Sequence, residues 1–355
     1  MVSISLCMIV RDEEEVLARC LDSVLPAVDE IVIVDTGSRD RTKEIAARYT
    51  DKLYDFEWCD DFSAARNYAF SKGSMDYLMW LDADDVLPRS SLQALLDLKK
   101  SLDPQVTVVM MPYNVAFDEQ GRPSFTYERE RLIKNGAGFQ WKGAVHEAIA
   151  PRGKILRSNV VVEHKKIKPG DPDRNLLIYE KQLAEGLKMG PRERFYYARE
   201  LFYHERYEQA IEEFENFLAR PDAWLENRLD ALRMEAMCYD LLGKPNEALQ
   251  ALLRSLVEDV PRAEICCDIG RHFIDRKNYK AAAFWYETAT SREKTTQGGA
   301  FINQDCYDYI PYVQLCVCYY WLGEKELAKK YHRLAKELKP EDPAVKYNEP
   351  IIAAM

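Results

Sequence analysis

Through the second half of the chain, alanine returns in a fixed setting: Tyr207-x-x-Ala210, Pro245-x-x-Ala248, Tyr279-x-x-Ala282 and Lys325-x-x-Ala328. Twelve residues before each alanine stands a small residue (Ala198, Ala236, Gly270, Cys316), and three positions further on come Leu201, Tyr239, Phe273 and Tyr319. Bulky residues follow the alanines at Phe214, Leu252 and Tyr286, then small ones at Ser255, Ala289 and Ala335, and Pro340 closes the pattern. The alanines are spaced 38, 34 and 46 residues apart. A unit of this size cannot bury its apolar face alone, so such a pattern forces an array of stacked helix pairs. The longest interval requires an insertion, which the polar run Thr295-Thr296-Gln297-Gly298-Gly299 supplies. An irregular helical bundle is the alternative.

The first half follows another rhythm. Ile4 to Val10 reads as a buried strand, and Arg11 to Pro26 has helical spacing at Val16, Leu17, Cys20, Leu21 and Val24. Ile31-Val32-Ile33-Val34 is a second strand ending at Asp35, followed by the turn Thr36-Gly37-Ser38-Arg39-Asp40 and a helix through Tyr49. Ser63 to Lys72 reads as helix and Asp76 to Leu81 as strand. This alternation predicts a parallel α/β sheet. The stretch from Gln105 to His164 mixes strands and loops, and Lys168-Pro169-Gly170-Asp171-Pro172-Asp173 reads as a linker. The expected domains are therefore 1–170, α/β, and 175–345, all-α.

At 355 residues, two domains are the prior expectation. A net charge of −10 argues against a nucleic-acid binder. No apolar run approaches membrane-spanning length, and the N-terminus lacks the basic start of a signal peptide. Nine cysteines without a C-x-x-C pair read as reduced thiols, with Cys7 and Cys20 in the core, in a cytoplasmic protein.

The segment Tyr77-Leu78-Met79-Trp80-Leu81-Asp82-Ala83-Asp84-Asp85 ends an apolar run in three carboxylates. Like charges at a strand end are costly unless a cation lies among them. A divalent cation shared with a diphosphate suits such a set. Asp35 stands at the carboxyl end of a strand, where open α/β sheets bind ligands. It can accept from a ribose hydroxyl or a base N–H, or it can serve as a turn carboxylate, a role that Ser38 or Asp40 fits better. Arg66 suits a phosphate or an aspartate. In Phe139 to Glu147 the titratable neighbours His146 and Glu147 stand side by side after an aromatic, and were this stretch a strand they would point to opposite faces. His204, His272 and His332 lie in the repeats and carry no functional signal.

Residues 3 to 90 resemble the nucleotide-sugar half of glycosyltransferase family 2, with the GT-A fold. The resemblance rests on Cys7-Met8-Ile9-Val10-Arg11-Asp12-Glu13-Glu14, on Ile31-Val32-Ile33-Val34-Asp35-Thr36-Gly37-Ser38-x-Asp40-x-Thr42, on Ala65-Arg66-Asn67 and on Leu81-Asp82-Ala83-Asp84-Asp85. It implies an inverting transfer from a nucleotide sugar, a UDP-sugar first, with Mn²⁺ or Mg²⁺. Carried over, Asp35 holds base or ribose, Asp82 the ribose side, Asp84 the metal, and Arg66 the diphosphate region. Val10 and Glu13 line the base pocket. Asp12 stands where many members carry Asn. The family places an acid near Glu147, which makes it the expected base, with His146 the competitor. Some GT-A enzymes supply a histidine from the region of His164 as a metal or phosphate ligand.

The second half resembles the tetratricopeptide repeat. The pairing of the two resembles bacterial peptide S-glycosyltransferases of the sublancin type. It implies a peptide or protein acceptor, with repeats that bind it or pair two subunits into a homodimer. A glycan or lipopolysaccharide-core acceptor is the alternative, and a repeat scaffold with an inactive transferase domain is a third reading, against which the intact Asp35 and Asp82-Ala83-Asp84 count.

Overall fold

The computed structural model describes every residue except Glu119, Pro169 and 294–301. The Pro169 part of the expected linker and the Thr295–Gly299 insertion thus lie outside the described residues. The chain divides into two compact units, Met1–Glu193 and Arg194–Met355.

The first unit opens with strand β1 (Ile4–Val10), helix α1 (Leu17–Val24), β2 (Glu30–Asp35), α2 (Thr42–Ala46), β3 (Leu53–Asp55), α3 (Phe62–Lys72), β4 (Tyr77–Met79), β5 (Asp85–Val86) and α4 (Arg89–Ser101). β6 (Val106–Phe117), β7 (Pro123–Lys134), β8 (Lys154–Arg157), β9 (Val162–His164) and α5 (Arg174–Ala184) follow. The sheet runs β3-β2-β1-β4-β7-β6-β9-β5, with β8 beside β6. β3, β2, β1 and β4 are parallel, as the strand–helix rhythm predicts. The sheet as a whole is mixed rather than parallel, because that rhythm stops after α4. β6 turns straight back into β7, and β7 pairs antiparallel with both β6 and β4. Ile4, Leu6 and Met8 on one face of β1 join the core under α1 and α4, while Cys7 faces the cluster of Phe70, Trp80 and Trp141.

One expected helix starts late, and one stretch near the site is a loop. The helix predicted from Arg11 starts only at Leu17. The preceding residues are tied to the turn after β2: the Asp12 N–H donates to Ser38 Oγ (3.0 Å), Arg39 N–H to Asp12 Oδ1 (2.7 Å), and Glu13 N–H to Thr42 Oγ1 (2.7 Å). The stretch Phe139–Glu147, within the region expected to mix strands and loops, is a loop held to α3. The Asn67 amide donates to the Trp141 carbonyl (3.0 Å) and accepts from the Trp141 N–H (2.9 Å). His146 takes φ +51° in that loop, the left-handed region that strands exclude.

The first unit extends past the 170–175 linker because α5 packs within it. Lys181 pairs with Asp60 at 2.5 Å, the Tyr179 hydroxyl donates to the Val145 carbonyl at 3.5 Å, and Arg174 lies over Phe62.

Helix α6 (Pro191–Tyr203) leads into the second unit, which is built of α7 (Tyr207–Leu218), α8 (Leu225–Leu241), α9 (Pro245–Glu258), α10 (Ala263–Asp275), α11 (Tyr279–Thr290), α12 (Tyr309–Leu322), α13 (Lys325–Leu338) and α14 (Pro343–Ala353). Ala210, Ala248, Ala282 and Ala328 each sit fourth in an alternate helix and are fully buried. The small residues twelve positions earlier are buried on the preceding helices. Gly270 shows why they must be small: a Cβ there would lie 2.8 Å from ring carbons of Tyr286. Among the described residues, no helix is long and apolar enough to cross a membrane.

Candidate active site

The site lies at the carboxyl ends of β1, β2 and β4, where a parallel sheet presents unpaired backbone and loops. Val10 ends β1, buried, and its carbonyl accepts from the Thr36 N–H at 2.9 Å. Asp35 ends β2 and is 1% exposed. Its Oδ1 accepts from the N–H groups of Gly37 and Ser38, both at 2.9 Å, so Asp35 shares the turn role with Asp40, whose Oδ1 accepts from the Thr42 N–H at 2.9 Å. The Oδ2 of Asp35 is buried with no hydrogen-bond partner among the described residues. A buried lone oxygen is costly, and this one suits an N–H or hydroxyl donor from a ligand. Glu13, three residues past Val10, is half-buried, and burial, then the charge of Asp84, push its carboxyl up to about 7.

Three arginines surround Trp80 beyond β4. The guanidinium carbons of Arg66, Arg129 and Arg131 lie 4.8, 4.7 and 3.8 Å from the indole centroid. Arg66, on α3, also faces Trp141 at 5.0 Å. Its Nη2 donates to Asp82 Oδ1 at 2.7 Å, and its Nε donates to Glu147 Oε1. Burial works against the Arg66 charge, and Asp82 and then Glu147 more than restore it. Withdrawal from water pushes the Asp82 carboxyl up, but Arg66 and then Arg131 hold it at about 2. Arg66 is thus an aspartate contact that joins Asp82 to Glu147, and its Nη1 is buried without a hydrogen-bond partner among the described residues.

The three acids of the cluster separate in role. Asp85 is fully buried, and its oxygens are occupied. Oδ2 accepts from Arg131 Nη1 (2.9 Å) and the Asp82 N–H (3.0 Å), while Oδ1 accepts from the Tyr113 hydroxyl (2.7 Å). Asp82 is engaged by Arg66. Asp84 keeps part of its side chain in solvent, 3.3 Å from Nδ1 of His164. Hydrogen bonds donated by its ring to Asp84 first and Asp85 next push the His164 imidazole up to about 9. Asp84, Asp85 and His164 offer ligand atoms all within 4.8 Å of one another. Since Asp85 is filled, Asp84 and His164 are the pair with capacity left. One carboxylate and one imidazole, completed by diphosphate oxygens, fit a small divalent cation.

The structure thus brings together Glu13, Asp82, Asp84 and His164, and joins Arg66 and Glu147 to them through Asp82. His146 is turned by its backbone, and its carbonyl accepts from Arg192 Nη2 at 2.9 Å. Tyr113, Arg129, Glu130 and Arg131 were not among the expected residues. The signal for the last three was legible as Glu128-Arg129-Glu130-Arg131, charges alternating in a strand otherwise running into buried Leu132 and Ile133.

Residues 5–161 match the model of glycosyl transferase family 2. That match covers most of the first unit, which has the GT-A fold, and the second unit is built of tetratricopeptide-type helical repeats. A TPR repeat-containing protein of Synechococcus elongatus is 41% identical over 150 residues, 42% of this chain and 36% of that protein. The SPbeta prophage-derived glycosyltransferase SunS of Bacillus subtilis is 24% identical over 278 residues, 74% of this chain and 64% of SunS. The lipopolysaccharide core biosynthesis glycosyltransferase LpsC of Rhizobium meliloti is 30% identical over 161 residues, 43% of this chain and 58% of LpsC. The chain thus spans less than two thirds of the length of each of these relatives.

Proposed function

We propose that this chain is an inverting, metal-dependent glycosyltransferase that moves a sugar from a nucleoside-diphosphate donor, a UDP-sugar first, to a peptide or protein. The observation carrying the reading is the sorting of the acids. Asp82 and Asp85 are neutralised by Arg66 and Arg131, which leaves Asp84 and His164 for a cation and a diphosphate. When bound, Mn²⁺ or Mg²⁺ offsets the charge that grows on the departing diphosphate.

The residues of the chain supply the rest. The open oxygen of Asp35 takes a base N–H or ribose hydroxyl, with Val10 and Glu13 lining that side and Asp82 turned toward the ribose. Arg66 orients Glu147, whose carboxylate takes the proton of the acceptor. The freed electron pair bonds to the anomeric carbon as the bond to the diphosphate oxygen breaks, and the leaving group departs with that pair. Holding donor and acceptor in line accounts for much of the rate. The repeats supply the extended surface a peptide acceptor needs, or pair two copies of the chain. The likeness to LpsC favours a second reading, in which the acceptor is a glycan.

The test is to incubate the full chain with a panel of nucleotide sugars and Mn²⁺, offering peptides and oligosaccharides in parallel. One donor should be consumed, and Glu147→Gln should lower transfer about a hundredfold while donor binding survives. An unchanged rate in Glu147→Gln removes it as the base. A chain that consumes no donor contradicts the transferase reading.

A further inference from the structure

We propose that Tyr113 is a positioning residue of this site: with Asp85 and Arg131 it fixes the imidazole of His164 beside Asp84, and so sets the strength of cation binding there. The inference rests on the reading of Asp84 and His164 as cation ligands.

Tyr113 lies in the middle of β6, opposite Tyr127 of β7 and Val162 of β9, and is 5% exposed. Its hydroxyl reaches two groups, Asp85 Oδ1 at 2.7 Å and His164 Nδ1 at 3.1 Å. Its ring meets the imidazole edge-on, 6.0 Å between centroids. β5 and β9 set Asp85 directly across from His164 in the ladder. The histidine is therefore held by the hydroxyl, by Asp85 and by Asp84.

The other end of the network is equally fixed. Arg131 is fully buried between Trp80, 3.8 Å from its guanidinium, and Tyr113, 4.3 Å away. It donates to Asp85 at 2.9 Å and to the Trp80 carbonyl at 3.3 Å, while its Nε and Nη2 have no hydrogen-bond partner among the described residues. A buried ion pair with unsatisfied donors is a poor way to stabilise a fold, because apolar residues of similar volume fill such space at lower cost. What the pair does supply is an immobile carboxylate at the back of the site. Partners behind a metal ligand fix its ring orientation and typically govern affinity by 10–100-fold.

The experiment titrates the full-length protein with Mn²⁺, following the electron-paramagnetic signal of free Mn²⁺, with and without UDP. Tyr113→Phe should weaken Mn²⁺ binding about tenfold, and in a His164→Ala background the same substitution should change nothing further. The cycle stays decisive even where Tyr113→Phe lowers the metal-free unfolding midpoint, since a general loss of structure would weaken binding in both backgrounds. Equal Mn²⁺ affinity in wild type and Tyr113→Phe, or an equal loss in both backgrounds, overturns the inference and leaves the donor reading intact. A wild type that binds Mn²⁺ no better than Asp84→Ala overturns both.

Discussion

The two units bury charge in different ways. In the first, Asp35, Arg66, Asp85, Glu130 and Arg131 are buried, and Arg66 and Arg131 converge with Arg129 on one indole at the carboxyl edge of the sheet. In the second, ion pairs are spread along the helices: Arg199–Asp230 joins α6 to α8, Arg228–Glu258 joins α8 to α9, and Arg233–Asp268 and Arg271–Asp240 join α8 to α10. Spread pairs repeat with the helices and staple neighbours. Converging ones neutralise Asp82 and Asp85 and leave the Asp84 carboxylate with His164, the pair we propose for a cation. Convergence, rather than the amount of buried charge, separates a site from a scaffold.

Breaking the buried pair of the first unit should give the largest effect. Arg131→Met leaves Asp85 uncompensated at zero exposure and should cost about 3–5 kcal/mol in denaturant unfolding. Adding Asp85→Leu should restore much of that stability but not Mn²⁺ binding. If the double variant binds Mn²⁺ like wild type, the network behind His164 is mere packing and the contrast between the units fails.

In the second unit the expected effect is smaller and depends on pH. Glu235 is 1% exposed and shares Arg254 with Glu215. Burial, then the charge of Glu215, push its carboxyl from 4.5 up to about 8. Between those values the folded state holds a proton that the unfolded state has released, so stability is greatest below pH 4.5 and falls as pH rises through 8. The fall should be on the order of 1 kcal/mol or more. Glu235→Gln should flatten it in unfolding measurements at pH 5 and 9, and a slope that survives the substitution assigns the effect elsewhere.

The sequence was most legible where one residue type answers to one local cause. The repeat alanines and Gly270 could be read because close helix packing leaves no room for anything larger. Asp35, Asp84 and Arg66 could be read because short motifs sit at strand ends and on one helix turn. Tyr113 could not, and the alternating charges around Arg131 gave no role for it, since their meaning arises only when the β6–β7 hairpin lies behind Asp85. The same hairpin makes the sheet mixed, which no local alternation announces. Whether His146 and Glu147 lie on a strand or a loop is decided by Asn67 pinning Trp141, and the reach of the first unit past residue 175 depends on contacts of Tyr179 and Lys181 to residues far back in the chain.

The central claim is that Asp84, freed by the pairing of its neighbours, carries a cation that binds a nucleoside diphosphate. Calorimetric titration of the full chain with UDP, with and without Mn²⁺, tests it directly. UDP affinity should rise at least about tenfold with Mn²⁺ in the wild type and show no such rise in Asp84→Asn, as a cation shared between carboxylate and diphosphate requires. UDP affinity that ignores Mn²⁺ in the wild type, or that responds to it equally in Asp84→Asn, would contradict the claim.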